Sequence, residues 1–357
     1  MNSELALART MANPPVKRQV YRLGELFSGA GGMAWGAHLA RSKKASFSHV
    51  WINDNNKDAC KTFQHNLPID PAGVHHGNVE KLNFKQLPEI DGLVFGFPCN
   101  DFSVVGDRQG ISGQYGGLYR WGIHGLEEKK PLFFVAENVS GLSSSGNDLQ
   151  IILSAMERAG YIIFSQTYHF ENYGVPQARR RIIIVGFRKD LGINDFRHPK
   201  PTTSGKPISC REALRDIPKD VTNNERTKQS ETVTERLKHI KPGENVFTAD
   251  LPKHLKLTLK SQATISQIYK RLKPNEPSYT VTGSGGGGTH IYHWKENRSL
   301  TNRERARLQS FPDKFEFCGG KESVRRQIGM AVPPEGAKHI FRAVLKTLAR
   351  YRIPSQC

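Results

Sequence analysis

The chain has 357 residues, 37% hydrophobic and 9% aromatic, which suffices for one large domain or two unequal ones. No apolar run reaches the roughly 18 residues of a membrane span. The first twenty residues lack a signal peptide's h-region, and the five cysteines (60, 99, 210, 318, 357) form no Cys-x-x-Cys pair. Membrane, metal-finger and disulfide-scaffold classes are thereby disfavoured, and a cytoplasmic protein with a mobile leader over residues 1–20 is expected. A net charge of +19, from 52 Lys+Arg against 33 Asp+Glu, favours a polyanionic partner.

Tyr21 to Phe27 reads as a first strand, and Ser28-Gly29-Ala30-Gly31-Gly32 as a tight turn into a helix from Met33 to about Arg41. Glycines allow close approach to a ligand and leave helix N-terminal amides available to it. The spacing Gly29-x-Gly31-x-x-Ala34 also fits a dinucleotide fingerprint, so a nicotinamide oxidoreductase stays open here. His49 to Asn53 is a second strand, ending at Asp54. That carboxylate can grip ribose hydroxyls or cap the helix from Lys57 to Asn66. Val74 to His76 is a third strand, followed by Asn78-Val79.

A fourth, apolar strand runs from Gly92 to Phe97 and is stopped by Pro98, so that Cys99 falls just past its carboxyl end. Open α/β sheets place their ligand crevice at that position. A nucleophile and a small buried residue are both consistent with Cys99 alone. Asp101 to Leu118 is polar and glycine-rich, a lid or a surface loop. Pro131 to Ala136 is a fifth strand ending at Glu137-Asn138-Val139. Asp148 to Gly160 forms an amphipathic helix, Tyr161 to Tyr168 a strand, and Gln177-Ala-Arg-Arg-Arg181 leads into a strand over Ile182 to Phe187.

The alternation argues an α/β doubly wound, mostly parallel sheet over residues 21–188. Residues 189–320 change style, with short apolar runs and many prolines, and read as a smaller domain. Within it Lys253, Lys256, Lys260, Lys270, Arg271 and Lys273 form a run with no acidic residue. Residues 321–357 contain a final helix from Pro334 to about Tyr351, whose stripe of Ile340, Phe341, Val344, Leu345 and Leu348 packs back on the first domain.

In this order the pieces resemble the C5-cytosine-specific DNA methyltransferases. The resemblance rests on Phe27-Ser-Gly-Ala-Gly-Gly32, Pro98-Cys99, Glu137-Asn138-Val139 and Gln177-x-Arg179-x-Arg181. It continues through the block from Arg303-Glu-x-Ala306-Arg307 to Pro312-Asp313, and Gln327-x-Gly329. It implies the fold of S-adenosylmethionine-dependent methyltransferases, with target recognition in the smaller domain. Phe27, Ser28, Gly29, Gly31, Gly32, Asp54, Asn78, Val79, Phe97, Pro98, Leu118, Met330, Ala331 and Val332 are implied around S-adenosyl-L-methionine, with no metal. Asn78 stands where the family often has an acidic residue, Asn100 replaces a common glutamine, and Met330-Ala331 replaces a usual Asn-Ser or Asn-Ala.

The implied chemistry starts with Cys99 adding to cytosine C6, which breaks the ring's conjugation and makes C5 nucleophilic. Glu137 serves N3 as a protonated carboxyl, a role that burial would favour, or through a shared proton, and Arg181 serves O2, with Arg179 supporting the site. A cytosine stacked inside a duplex is out of reach of such groups, so the resemblance implies that the target base is flipped out. Ser103, Lys270, Arg271, Thr280, Gly285 and Gly286 are the expected contacts to double-stranded DNA. The resemblance is compatible with a cognate restriction endonuclease or equally with an orphan regulatory enzyme, and it implies a monomer in bacterial cytoplasm. A tRNA-methylating branch shares these motifs but carries a Cys-Phe-Thr tripeptide, which does not occur here. A non-catalytic DNA-binding protein would leave Cys99, Glu137 and Arg181 unexplained.

Overall fold

The computed structural model describes residues 18–97, 116–139, 147–257, 266–283 and 290–357. Seven strands, β1 (Gln19–Leu26), β2 (Ala45–Asp54), β3 (Val74–His76), β4 (Gly92–Gly96), β5 (Phe133–Val139), β6 (Tyr161–His169) and β7 (Arg180–Arg188), form one sheet in the order β3-β2-β1-β4-β5-β7-β6. The order reverses beside β1, with β2 on one side and β4 on the other. Both pair with it in parallel, so the crevice between the ends of β1 and β4 is a topological switch point.

The sheet is mostly parallel, as expected, and β7 is its antiparallel member. It lies antiparallel between β5 and β6. The link from β6 to β7, a short 3₁₀ turn at Phe170–Tyr173 and a few residues beyond, is too short for the helical crossover a parallel return needs.

Both faces of the sheet are buried, which is why its strands read as apolar runs. Phe133 and Val135 of β5 enter one core with Phe341 and Val344, whereas Phe134 and Ala136 enter the opposite core with Phe95 and Ile152. Helices α1 (Gly32–Leu39), α2 (Lys57–Asn66), α3 (Tyr119–Lys129) and α4 (Asp148–Arg158) cover the sheet. Past β7 come α5 (Cys210–Ala213), α6 (Glu231–Lys238), α7 (Asn302–Leu308), α8 (Lys321–Met330) and α9 (Pro334–Arg350). Helix α9 buries its predicted stripe against the sheet and α1.

A third core joins Ala34, Trp35 and Phe63 of α1 and α2 to Ala306, Phe311, Phe315, Val324 and Ile328. The C-terminal blocks therefore share a core with α1 and α2. A small separate cluster of Leu237, Ile240, Val246, Leu251, Ile268, Tyr269 and Tyr292 holds the middle of the 189–320 region together. No helix among the described residues is long and apolar enough to cross a membrane.

Candidate active site

The glycine turn after β1 is shaped by backbone conformations that side chains disfavour. Phe27, Gly29 and Gly31 all have positive φ, at 55°, 53° and 88°. A Cβ on Gly29 would meet nothing within 4 Å, so this residue faces open space. Ser28 is buried, and its hydroxyl has no hydrogen-bond partner among the described residues. A buried hydroxyl without a partner beside an open glycine backbone is what a polar ligand would complete. The residues present thus fit a nucleotide-like cofactor.

Asp54 closes this turn from β2. One carboxylate oxygen accepts the Gly29 N–H at 2.8 Å and the other the Asn56 N–H at 2.8 Å. Burial raises its pKa, and these two bonds oppose the rise. Asp54 does not cap α2: Asn56 does, accepting from Asp58 and Ala59. Asn53 donates to the carbonyls of His75 and Gly77, placing the start of the Asn78 turn beside the Asp54 end of β2. Asn78 is exposed, and its amide oxygen accepts the Glu80 N–H at 3.2 Å. Val79 is buried beneath it. The opposite wall is the turn after α8: a Cβ on Gly32 would stand 2.3 Å from the Val332 carbonyl oxygen. Ala331 and Val332 are buried, while Met330 is 73% exposed. Leu118 lies in a short 3₁₀ turn, Gly116–Leu118, that runs directly into α3.

Two of the groups expected to do chemistry, Glu137 and Arg181, meet at the end of β4. Glu137 pairs with Gly96 across the sheet, and a Cβ on Gly96 would lie 3.3 Å from the Glu137 carboxylate. Arg181 Nε donates to Glu137 Oε1 at 2.8 Å, with side chains 14% and 12% exposed. Glu137 thus has a cationic partner rather than the purely apolar surroundings that its expected role invites. Asn138, missed as a site residue, donates to the Phe97 carbonyl at 3.2 Å and so ties the Glu-Asn-Val segment to the strand that leads to Pro98-Cys99. Pro98, Cys99, Ser103, Gly285 and Gly286 lie outside the described residues. Burial pushes the thiols of Cys60 and Cys210 up to about 12, which disfavours the thiolate in both.

Arg179 is fully buried, and its guanidinium donates to the carbonyls of Val281 and Gly329 at 3.1 and 3.3 Å. Gln177 donates to Gln309 at 2.8 Å and accepts the Val281 N–H at 2.8 Å. Gln309 in turn donates to the carbonyls of Ile328 and Ala331. One buried network thus fixes the approach to Arg181, the segment ending at Gly283 and the Met330 turn relative to one another. Gln309, one residue past α7, gave no sequence signal of this.

The expected DNA contacts divide. Thr280 bonds the Ala178 carbonyl through its hydroxyl, and Lys270 stands 5.0 Å over the Tyr279 ring in a half-exposed position. Arg271 must be corrected. It is 4% exposed and donates to the carbonyls of His293, Glu296 and Leu237 and to the Asn297 side chain. Its charge holds the smaller core together and cannot reach a phosphate. Lys273 pairs with Glu276.

The profile of the C-5 cytosine-specific DNA methylase family matches residues 21–346. The chain is 51% identical to the Type II methyltransferase M.BbvI of Brevibacillus brevis, over 94% of this chain and 93% of that one. It is 40% identical to M.NgoFVII of Neisseria gonorrhoeae, over 95% and 90%. Among solved structures it resembles a candidate prophage-encoded DNA modification methyltransferase of E. coli, with a TM-score of 0.69 and 24% identity over 92% of this chain and 99% of that one. It also resembles the S. pombe Dnmt2 methyltransferase, with a TM-score of 0.59 and 18% identity over 93% and 99%. These two likenesses speak to the fold alone. Taken with the profile and the Type II relatives, they agree: the chain belongs to the C-5 cytosine-specific DNA methylase family.

Proposed function

We propose that the chain methylates C5 of a flipped-out cytosine in a short specific double-stranded DNA sequence, with S-adenosyl-L-methionine as methyl donor. The observation that carries this reading is the Glu137–Arg181 pair set against Gly96, at the end of the strand that leads within three residues to Cys99. The Cys99 thiolate adds to cytosine C6, and electron density moves to N3 and O2. Glu137, positioned by its ion pair with Arg181, shares a proton with N3, and Arg181 supports the charge at O2. When bound, the cofactor's sulfonium supplies an electrophilic methyl. Loss of the C5 proton then lets Cys99 leave.

Ser28, Gly29, Gly31, Asp54, Asn78 and the Ala331–Val332 turn are the residues that would hold the cofactor. Residues 189–320 form the recognition unit around the Leu237–Tyr292 cluster, and 321–357 return to the catalytic domain. Ser103, Thr280, Gly285, Gly286 and Lys270 contact DNA. The protein works as a cytoplasmic monomer beside a cognate restriction endonuclease. The reading is tested by incubating the protein with methyl-labelled S-adenosylmethionine and unmethylated bacterial DNA. Label should enter DNA as 5-methylcytosine with wild type and not with Cys99→Ser. Transfer of label to tRNA instead would favour the RNA-methylating alternative.

A further inference from the structure

Arg305 sits on α7 with 1% of its surface exposed, and no ion pair joins it to a carboxylate among the described residues. Its Nη1 has no hydrogen-bond partner among the described residues, and its Nη2 reaches His290 Nδ1 at 3.4 Å. A buried, unpaired guanidinium is costly, so its one side-chain contact invites a functional account. Arginine can only donate, so Nδ1 accepts and the neutral ring carries its proton on Nε2. Nε2 has no described hydrogen bond, and the ring is only half-buried. His290 lies two residues past the glycine run at 285–288, after Thr289, and Tyr292 stands edge-on to it at 6.3 Å.

We propose that His290 is a DNA-contacting residue. Arg305 holds it as a neutral imidazole of fixed tautomer, so that its Nε2–H donates one hydrogen bond to an acceptor of the bound duplex. This rests on the reading of 189–320 as the DNA-facing region. The charged groups around the ring agree with a neutral donor. Burial, then Arg305 of α7 and Arg325 of α8, hold the His290 pKa down to about 4, with Glu322 of α8 the one opposing acid. Arg305 itself is pushed down to about 10, chiefly by burial. The acceptor is a base edge or a phosphate oxygen, and the two are separable because only a base carries sequence.

The test is duplex affinity of the full chain, measured on the methylated target sequence and on a scrambled duplex at pH 5.5 and pH 8. His290→Phe should weaken binding about tenfold, as expected for one lost hydrogen bond at a desolvated site. His290→Gln, whose amide NH₂ can stand in for Nε2–H, should retain most of the affinity. Loss on the target alone identifies a base edge, and equal loss on both duplexes a phosphate; either outcome sustains the donor. The ratio of wild-type to His290→Phe affinity should be the same at both pH values. Arg305→Met should lower affinity as His290→Phe does while leaving the melting temperature equal or higher.

Wild-type affinity in His290→Phe, a ratio that widens severalfold at pH 5.5, or unchanged affinity in Arg305→Met would each overturn the proposal. A wild-type chain that binds no DNA at all would instead sink the reading on which it rests.

Discussion

Gly329→Ala is the substitution whose consequence the structure makes most concrete. A Cβ on Gly329 would lie 2.0 Å from the Gly283 nitrogen and 2.1 Å from the Thr282 carbonyl carbon. Both are backbone atoms, so no side chain can swing away, and the walls must part by more than about 1 Å to reach van der Waals contact. The wall that must retreat is the segment clamped through Val281 by Arg179 and Gln177. Overpacking of this kind costs about 1–3 kcal/mol of stability. Displacing a segment proposed to face substrate by about 1 Å can cost about 100-fold in rate. We therefore expect a small fall in melting temperature but a loss of methyl transfer of about 100-fold, with weaker DNA binding and near-normal cofactor binding. Gly320→Ala is the control, because a Cβ there meets nothing within 4 Å. Calorimetric melting, cofactor titration and initial rates on saturating DNA separate these effects. If Gly329→Ala matches wild type in rate and melting, the tie between the α8 turn and the recognition segment is refuted.

Other substitutions probe the remaining parts of the site. Asp54→Ala should weaken cofactor binding by about 1.5–3 kcal/mol, since it removes a buried charged acceptor and frees the Gly29 N–H; unchanged affinity by calorimetry would confine Asp54 to shaping the turn. Cys99→Ser should abolish turnover while Cys60→Ser, Cys210→Ser, Cys318→Ser and Cys357→Ser retain it, and comparable rates in Cys99→Ser would remove that thiol from the chemistry. Lys270→Ala should lower the slope of log affinity against log salt by about 0.9, equally for target and random duplexes. Arg271→Met should instead lower the melting temperature, because it removes the buried guanidinium that ties the carbonyls of His293, Glu296 and Leu237 together. A stable Arg271→Met variant with an altered salt slope would restore it as a phosphate contact.

What could be read from the chain follows from how local each signal is. The glycine turn, the strand run before Pro98 and the α9 stripe are local patterns, and all three were legible. The direction of β7 was not, because strand pairing is decided by connection length and partner rather than by a strand's own residues. Helix α3 is hidden in the sequence because Gly122 and Gly125 lower its intrinsic propensity; tertiary packing keeps them, with a Cβ on Gly122 meeting the Phe95 ring at 2.5 Å. Helix α7 went unpredicted although Thr301 and Glu304 form a capping box, a signal the sequence does contain. Arg271 was misread because a run of basic residues does not say which of them faces a cluster of carbonyls. Gln177, Gln309 and Asn138 act through backbone groups far along the chain, which no spacing rule reveals.

The central claim, cytosine C5 methylation of DNA by a Cys99-dependent mechanism, is tested most directly by bisulfite sequencing of DNA from bacteria expressing the chain. One short sequence should retain an unconverted cytosine at every copy in cells expressing wild type, and at none in cells expressing Cys99→Ser. Complete conversion with a soluble wild-type protein, or the same protected sites with Cys99→Ser, would contradict it.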